Sequence, residues 1–179
     1  MFAKDDLIVY GSTGVCRVEG VGLPEYRPTP DDETLYYKLA PIYSVGYIYI
    51  PVDAPVYMRP VMTHEQAERL VAAITQVEPR DLTGLDTRTL TDKYKTILSH
   101  EDPRALICLI KSVKSKTQKA INSGRRPGKI DKDYMKRARE LLYGELAISL
   151  EIPLDDVDGY IHERMGEVLA EEDEEAIAQ

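Results

Sequence analysis

The sequence predicts an α+β protein of two domains, a small β domain followed by a domain of helices. In the first sixty residues, short runs of β-branched and aromatic residues alternate with Gly and Pro clusters, which is typical of strands and turns. After Pro60 the apolar residues recur at helical spacing almost to the end of the sequence. We therefore expect a β domain over residues 1–62, a helical domain over 63–170 and an acidic tail over 171–179.

Five short runs in the first domain predict strands, which is the pattern of a small barrel or sandwich. A loop rich in Pro and Asp separates the second run from the third. Side chains alternate along a strand, so Tyr47 and Tyr49 should share one face and Ile48 and Ile50 the other. We expect the isoleucines in the core, whereas the tyrosines either contact a partner or simply cover a small barrel. The predicted strands are residues 7–10, 15–21, 35–39, 47–52 and 56–59, and the loop is 24–33.

Capping signals and helical spacing predict the helices of the second domain. Thr63 and Gln66 have capping-box spacing, which places the start of the first helix. A second helix is expected over residues 89–98. A third begins after Asp102, because Asp is a favoured N-cap and Pro103 fits the first helical position.

The fourth helix has the clearest apolar pattern. We expect Asp131 to be its N-cap, with Ile130 and Met135 forming a hydrophobic staple. A last helix is expected over residues 154–170, although two glycines within it lower its intrinsic stability. The buried face of the fourth helix should contain Met135, Ala138, Leu142 and Leu146.

Charge is distributed unevenly along the chain, whose net charge is −8. Residues 88–139 contain 15 Lys and Arg against 5 Asp and Glu. Such a segment can bind a polyanion while acidic flanks limit non-specific binding, although a solvated helix face has the same composition. Part of the segment is a row at i, i+4 and i+7 that could follow a phosphate backbone. The candidates are Lys132, Lys136 and Arg139 in this row and Arg125 and Arg126 in the preceding turn.

No constellation of residues typical of an enzyme is present. His64, His100 and His162 lie on different predicted elements, and no hydrolase or metalloprotease motif accompanies them. The loop at residues 124–130 has three residues between its glycines, where a phosphate-binding P-loop requires four, and Ile130 stands where Ser or Thr would bind magnesium. The two cysteines are isolated. We therefore expect a protein that is not an enzyme and that uses no cofactor and no metal.

The sequence also bears on location. No run approaches the roughly 18 apolar residues that a membrane span needs. The first residues, MFAKDDLIVY, include two acids where a signal peptide would have basic residues. We expect a cytoplasmic monomer that does not act at a membrane.

Several segments together resemble the CarD family of bacterial transcription regulators. These are residues 6–10 (DLIVY) with 14–18 (GVCRV), Ile50 with Pro51, the basic 92–95 (DKYK), and 137–147 (RARELLYGELA). The last segment is the most specific. The opening one is shared with the polymerase-interaction module of transcription-repair coupling factors, but no helicase motif accompanies it here. The resemblance covers roughly residues 7–150.

The resemblance implies a Tudor-like N-terminal barrel that docks on the RNA polymerase β subunit. It also implies a helical domain that contacts promoter DNA at the upstream edge of the transcription bubble and stabilises the open complex. Such a protein would act in the bacterial cytoplasm, associated with the nucleoid through RNA polymerase. By position, Lys93, Lys95, Lys132 and Arg137 match basic residues of the family's DNA face, and Tyr49 lies on the strand used for polymerase contact.

The sequence departs from the family pattern at two of these places. Tyr49 stands where the family often has Arg. Leu90 stands where many members have a Trp that wedges into the minor groove, and this chain contains no Trp. A Leu offers less area than an aromatic ring for contact with bases, so we expect a weaker wedge at Leu90 and a greater reliance on phosphate contacts.

Two other classes of function are compatible with the same residues. The basic helices could bind an acidic protein, which would make the chain a scaffold that does not touch DNA. Alternatively the chain could be an RNA-binding module, since small barrels also recognise RNA. Only Tyr94 and Tyr134 are aromatics near the basic residues, which disfavours a stacking platform for single strands.

Overall fold

The computed structural model describes residues 1–24, 33–100 and 102–166. Within them, an antiparallel five-stranded sheet is followed by five α-helices, which confirms the predicted α+β class with an N-terminal β domain. No helix in these ranges is both long enough and apolar enough to cross a membrane. The predicted tail, residues 171–179, and most of the predicted loop at 24–33 lie outside the described residues.

The sheet has the strand order β4-β3-β2-β1-β5, with every neighbouring pair antiparallel. All five strands occur close to their predicted positions. Among the described residues, β4 and β5 are edge strands, so the sheet is open and the predicted barrel is not confirmed. The strands are β1 Leu7–Tyr10, β2 Gly14–Gly22, β3 Tyr36–Pro41, β4 Ile48–Pro51 and β5 Met58–Pro60.

Alternation along the strands decides which side chains enter the sheet's core. Ile50 is buried and Ile48 packs against the same cluster, whereas Tyr47 and Tyr49 are 58% and 50% exposed. The predicted orientation of these four residues is therefore confirmed. The core of the sheet consists of Ile8, Cys16, Val18, Tyr37, Leu39 and Ile50.

The helices pack around a separate apolar core. The capping box predicted at Thr63 and Gln66 is present, with the Gln66 N–H donating to Thr63 Oγ1 and the Thr63 N–H donating to Gln66 Oε1. Asp102 caps the third helix as predicted, by accepting from the Arg104 N–H. The helices are α1 His64–Ala72, α2 Thr87–His100, α3 Pro103–Asn122, α4 Lys129–Leu150 and α5 Val157–Met165.

The predicted start of α4 is wrong. Gly128 is the N-cap, and Asp131 lies inside the first turn with only 6% of its surface exposed. Asp131 is held there by partners on α2 and α3, which a local sequence pattern cannot reveal. Ile130 lies inside the first turn and is 38% exposed, so it is not in the position before the N-cap that the predicted hydrophobic staple requires. The predicted apolar face of α4 is buried as expected.

The last helix is shorter than predicted within the described residues. A single 3-10 turn, Leu154–Asp156, precedes α5. Gly166 ends α5 with φ +62°, a left-handed conformation that glycine adopts without strain. Residues 167–170 of the predicted helix lie outside the described part of the chain.

Candidate nucleic-acid and partner interfaces

A buried hydrogen bond brings two basic segments together. The Tyr94 hydroxyl on α2 donates to Asp131 Oδ1 on α4 at 2.7 Å. Lys93 and Lys95 flank Tyr94 in sequence, and Lys132 follows Asp131. The predicted 92–95 element therefore lies beside the first turn of α4, although about 35 residues separate them along the chain.

The same carboxylate also binds a lysine. Lys116 Nζ on α3 lies 2.7 Å from Asp131 Oδ2, so Asp131 joins three helices. Burial, together with the hydrogen bond to Asp131, raises the pKa of Tyr94 far above its usual value, which keeps the hydroxyl protonated as a donor. Lys116 is neutralised by this ion pair and adds little positive charge to the surface.

The turn between α3 and α4 exposes two arginines. It is held by backbone hydrogen bonds from Arg125 N to Ala120 O at 2.8 Å and from Gly124 N to Ile121 O at 2.9 Å. Arg125 and Arg126 are exposed, and within the described ranges neither forms an ion pair. Their positive charge is therefore available to an anionic partner.

We call the set of predicted basic residues that remain at the surface the basic surface. Two other predicted DNA-contacting residues lie outside it, because Leu90 is buried and Arg137 binds backbone carbonyls of the N-terminal domain. The residues of the basic surface lie on α2, in the α3–α4 turn and along the first three turns of α4. They are Lys93, Lys95, Arg125, Arg126, Lys132, Lys136 and Arg139.

Leu90 does not belong to this surface, which corrects the expectation of a wedge. It is only 6% exposed and belongs to the core of the helical domain. The reason is the start of α2, which begins at Thr87 with Asp86 accepting from the Thr89 N–H at 3.0 Å. Leu90 then shares the buried face with Tyr94 and Leu98, at i+4 and i+8.

Arg137 makes contacts within the chain that the sequence did not predict. Its guanidinium donates to the backbone carbonyls of Ser12 and Thr13, in the turn after β1, and pairs with Glu140 at 3.0 Å. Arg137 therefore joins α4 to the N-terminal domain, and its guanidinium is engaged in contacts within the chain. The carbonyls that it binds lie more than 120 residues away, so sequence spacing gave no signal for this contact.

Arg139 lies at the margin of the basic surface. The nearby Tyr143 hydroxyl donates to Asp158 Oδ1 on α5 at 2.5 Å. Burial and then this carboxylate raise the pKa of Tyr143, while the positive charge of Arg139 acts in the opposite direction. Arg139 thus lies close enough to Tyr143 for its charge to act on that hydroxyl.

A second surface lies on the sheet, around the edge strand β4. Lys38 faces Tyr49 across the β3–β4 pair, and its Nζ is 4.1 Å from the ring centroid of Tyr47 and 5.9 Å from that of Tyr49. Val45, in the loop before β4, is fully exposed. We call Lys38, Val45, Tyr47 and Tyr49 the tyrosine surface. Our sequence reasoning missed Lys38, although its place between the buried Tyr37 and Leu39 puts it on the outer face.

The described residues contain no cluster of three or more His, Cys, Asp or Glu that could hold a metal ion. The predicted absence of enzymatic activity stays a prediction.

Residues 2–62 match the family model of the CarD-like/TRCF RID domain, the RNA polymerase-interacting domain shared by CarD and TRCF. This match confirms the resemblance over the N-terminal domain. It ends one residue before the N-cap of α1, so it contains the whole tyrosine surface and none of the basic surface. No curated protein matches the chain.

Proposed function

We propose that this protein is a transcription regulator that binds the β subunit of RNA polymerase through the tyrosine surface. The basic surface then contacts promoter DNA near the upstream edge of the bubble and stabilises the open complex. The match of residues 2–62 to an RNA polymerase-interacting domain is the observation that supports this most strongly. It supports RNA polymerase as a partner and a role in transcription, and the basic surface supports the DNA contact.

The polymerase contact is proposed at the tyrosine surface because of its chemistry and its position. Tyrosines combine a large apolar ring with a polar end, and they are enriched at protein interfaces. Among the described residues β4 pairs only with β3, so an extended segment of a partner could add to its other edge. We retain the Tudor-like barrel as part of this proposal, on the resemblance to the family.

The DNA contact is proposed as a phosphate contact. Lys and Arg bind phosphate without reading sequence, and their contribution falls as salt rises. Because Leu90 is buried, no predicted apolar wedge adds to it. Promoter recognition would then come from the polymerase, and this protein would lengthen the life of a complex that has already formed.

The alternatives differ in what meets the basic surface. A stacking platform for single-stranded RNA on the basic surface would need exposed aromatic rings there, but Tyr94 is buried, with its hydroxyl bonded to Asp131, and is not available for stacking. A scaffold that binds an acidic protein is compatible with the same charges. Duplex DNA is favoured because the N-terminal match supports RNA polymerase as a partner, and RNA polymerase acts on duplex DNA. We further propose that it acts as a cytoplasmic monomer without enzymatic activity.

The polymerase contact can be tested by binding of the full chain to the isolated β-subunit lobe of RNA polymerase. Tyr47→Ala combined with Tyr49→Ala should weaken binding by about tenfold or more, since buried interface aromatics are frequent hot spots. Tyr160→Ala is a matched control. Tyr160 lies on α5, where its ring contacts Arg164, and it is far along the chain from β4. No binding by the wild type, or equal binding by all three proteins, would contradict the proposed contact.

A further inference from the structure

A buried ion pair joins the sheet to the helices. Glu145 on α4 is only 3% exposed, and its carboxylate accepts hydrogen bonds from both terminal nitrogens of Arg59 on β5, with Nη2 to Oε2 at 2.7 Å. The Met62 N–H, in the link between the domains, donates to Glu145 Oε1 at 2.9 Å. A buried carboxylate is costly unless it is paired and hydrogen-bonded, so the pair resists separation of the domains.

The preceding residue of α4 forms a second contact. The Tyr43 hydroxyl, in the β3–β4 loop, donates to Gly144 O at 3.0 Å, and one edge of the ring lies over Gly144. A Cβ at position 144 would lie 2.9 Å from Tyr43 Cε2, which is closer than two non-bonded carbon atoms approach in proteins. Only glycine at this position allows the ring to stay where it is. Burial at this contact also raises the pKa of the Tyr43 hydroxyl.

A third contact lies two turns earlier on α4. Arg137 binds the carbonyls of Ser12 and Thr13, as described above. Leu141 packs against Gly14, whose φ of +96° is open to glycine but strained for other residues. The contacts thus reach three separate parts of the N-terminal domain: the turn after β1, the β3–β4 loop and β5. Contacts that are spread in this way oppose rotation of the domains as well as separation.

We propose that α4 locks the two domains into one rigid body, with Gly144 and Glu145 as positioning residues. The first two turns of α4 bear Lys132 and Lys136, and the helix from Arg137 onward binds the sheet domain. A continuous helix of 22 residues is about 33 Å long. The helix therefore fixes the spacing between the basic surface and the tyrosine surface.

This lock rests on the proposed function for its biological meaning. If one surface is bound to polymerase, a fixed spacing holds the other at a high effective concentration near the DNA. Free movement of the domains would lower that concentration without altering either surface. The lock should therefore affect the ternary complex and leave each separate binding step intact.

NMR backbone relaxation on the full chain measures the rotational correlation time of each domain. In the wild type, the two domains should share one rotational correlation time. Two variants should uncouple the domains: Gly144→Ala drives Tyr43 away from α4, and Arg59→Met leaves the buried Glu145 without its cation. Each variant should give two different rotational correlation times, with the shorter one in the sheet domain. Arg69→Met is the control, since it removes an exposed arginine from α1. The proposal would be overturned if the two domains of the wild type had different correlation times, or if they shared one correlation time in both lock variants.

The functional readout separates binary from ternary binding. For both lock variants, affinity for the isolated β lobe and for promoter duplex should stay within about twofold of the wild type, while the open-complex lifetime should fall by about tenfold or more. A full lifetime in a variant whose domains tumble separately would overturn the positioning role. If a lock variant fails to fold, Glu145→Gln replaces it, because its amide oxygen still accepts from the Met62 N–H. If the wild type does not bind the β lobe, the proposed function fails, whereas the relaxation result still decides whether the lock exists.

Discussion

Tyr94 on α2 and Asp131 on α4 are joined by a hydrogen bond of 2.7 Å that lies directly beneath the basic surface. This bond and the Lys116–Asp131 ion pair fix the first turn of α4 against α2 and α3. Lys93, Lys95 and Lys132 take their positions from it. The arrangement of charge on the outside thus depends on a polar network inside.

Removing the Tyr94 hydroxyl should destabilise the helical domain. Tyr94→Phe takes a donor away from a buried, charged acceptor, so the free energy of unfolding should fall by about 1.5 to 3 kcal/mol, as measured by urea denaturation. Tyr134→Phe is a matched control, because the Tyr134 ring lies 5.2 Å from that of Tyr94 and is only partly buried. Equal stability of the Tyr94→Phe variant and the wild type would show that the bond contributes nothing.

Tyr143 should make stability fall at alkaline pH. Burial and Asp158 raise its pKa in the folded state above the usual tyrosine value of about 10, so above pH 10 the unfolded chain loses this proton before the folded one does. Stability from this group is complete below pH 10 and is lost as the pH rises. The advantage of the wild type over Tyr143→Phe in free energy of unfolding should therefore narrow between pH 9 and pH 11. A constant gap over this range would contradict the raised pKa.

The basic surface should show itself in the salt dependence of DNA binding. Each phosphate contact that is lost should reduce the slope of log affinity against log salt by about 0.9. Replacing Arg125 and Arg126 by Ala should lower the slope by roughly one to two, measured by fluorescence anisotropy with a promoter duplex. The double replacement of Arg69 and Arg164 by Ala is the control, because both lie outside the basic surface. An equal slope for the wild type and the Arg125/Arg126 variant would remove these residues from the DNA contact.

Leu90 should act through stability and not through DNA. Leu90→Ala opens a cavity in the helical core and should lower the free energy of unfolding by about 2 to 5 kcal/mol. Leu90→Trp overfills the same site and should also destabilise the fold, typically by about 1 to 3 kcal/mol. Neither should lengthen the open-complex lifetime. A longer lifetime with Leu90→Trp would restore the wedge that we have set aside.

Local features of the fold were predictable from the sequence, and long-range ones were not. The Thr63 capping box and the Asp102 cap depend on residues within three positions of each other, so their spacing alone locates them. Asp is a residue type favoured at N-caps, but Asp131 is buried because it binds Tyr94 and Lys116, which lie 37 and 15 residues away along the chain. Capping preference is worth about 1 kcal/mol, whereas leaving a buried charge without its partner costs about 3 to 5 kcal/mol, so the partners decide the position.

In the candidate surfaces, too, local features were predictable from the sequence and long-range contacts were not. Alternation along β4 was enough to expose Tyr47 and Tyr49, because orientation in a strand depends on position alone. The resemblance to the family matches Arg137 to a DNA-contacting position, yet its guanidinium donates to carbonyls of the other domain. Glu145 was part of a recognised segment without an assigned role, since its partner Arg59 is 86 residues away. Contacts between domains leave no periodic pattern in a sequence.

The lifetime of open promoter complexes after a heparin challenge tests the proposed function most directly. RNA polymerase would be measured alone and with saturating amounts of the wild type, the Tyr47→Ala/Tyr49→Ala variant and the Arg125→Ala/Arg126→Ala variant. We expect the wild type to lengthen the lifetime and both variants to lose most of that effect. An equal lifetime with and without the wild-type protein would contradict the proposed role in stabilising the open complex.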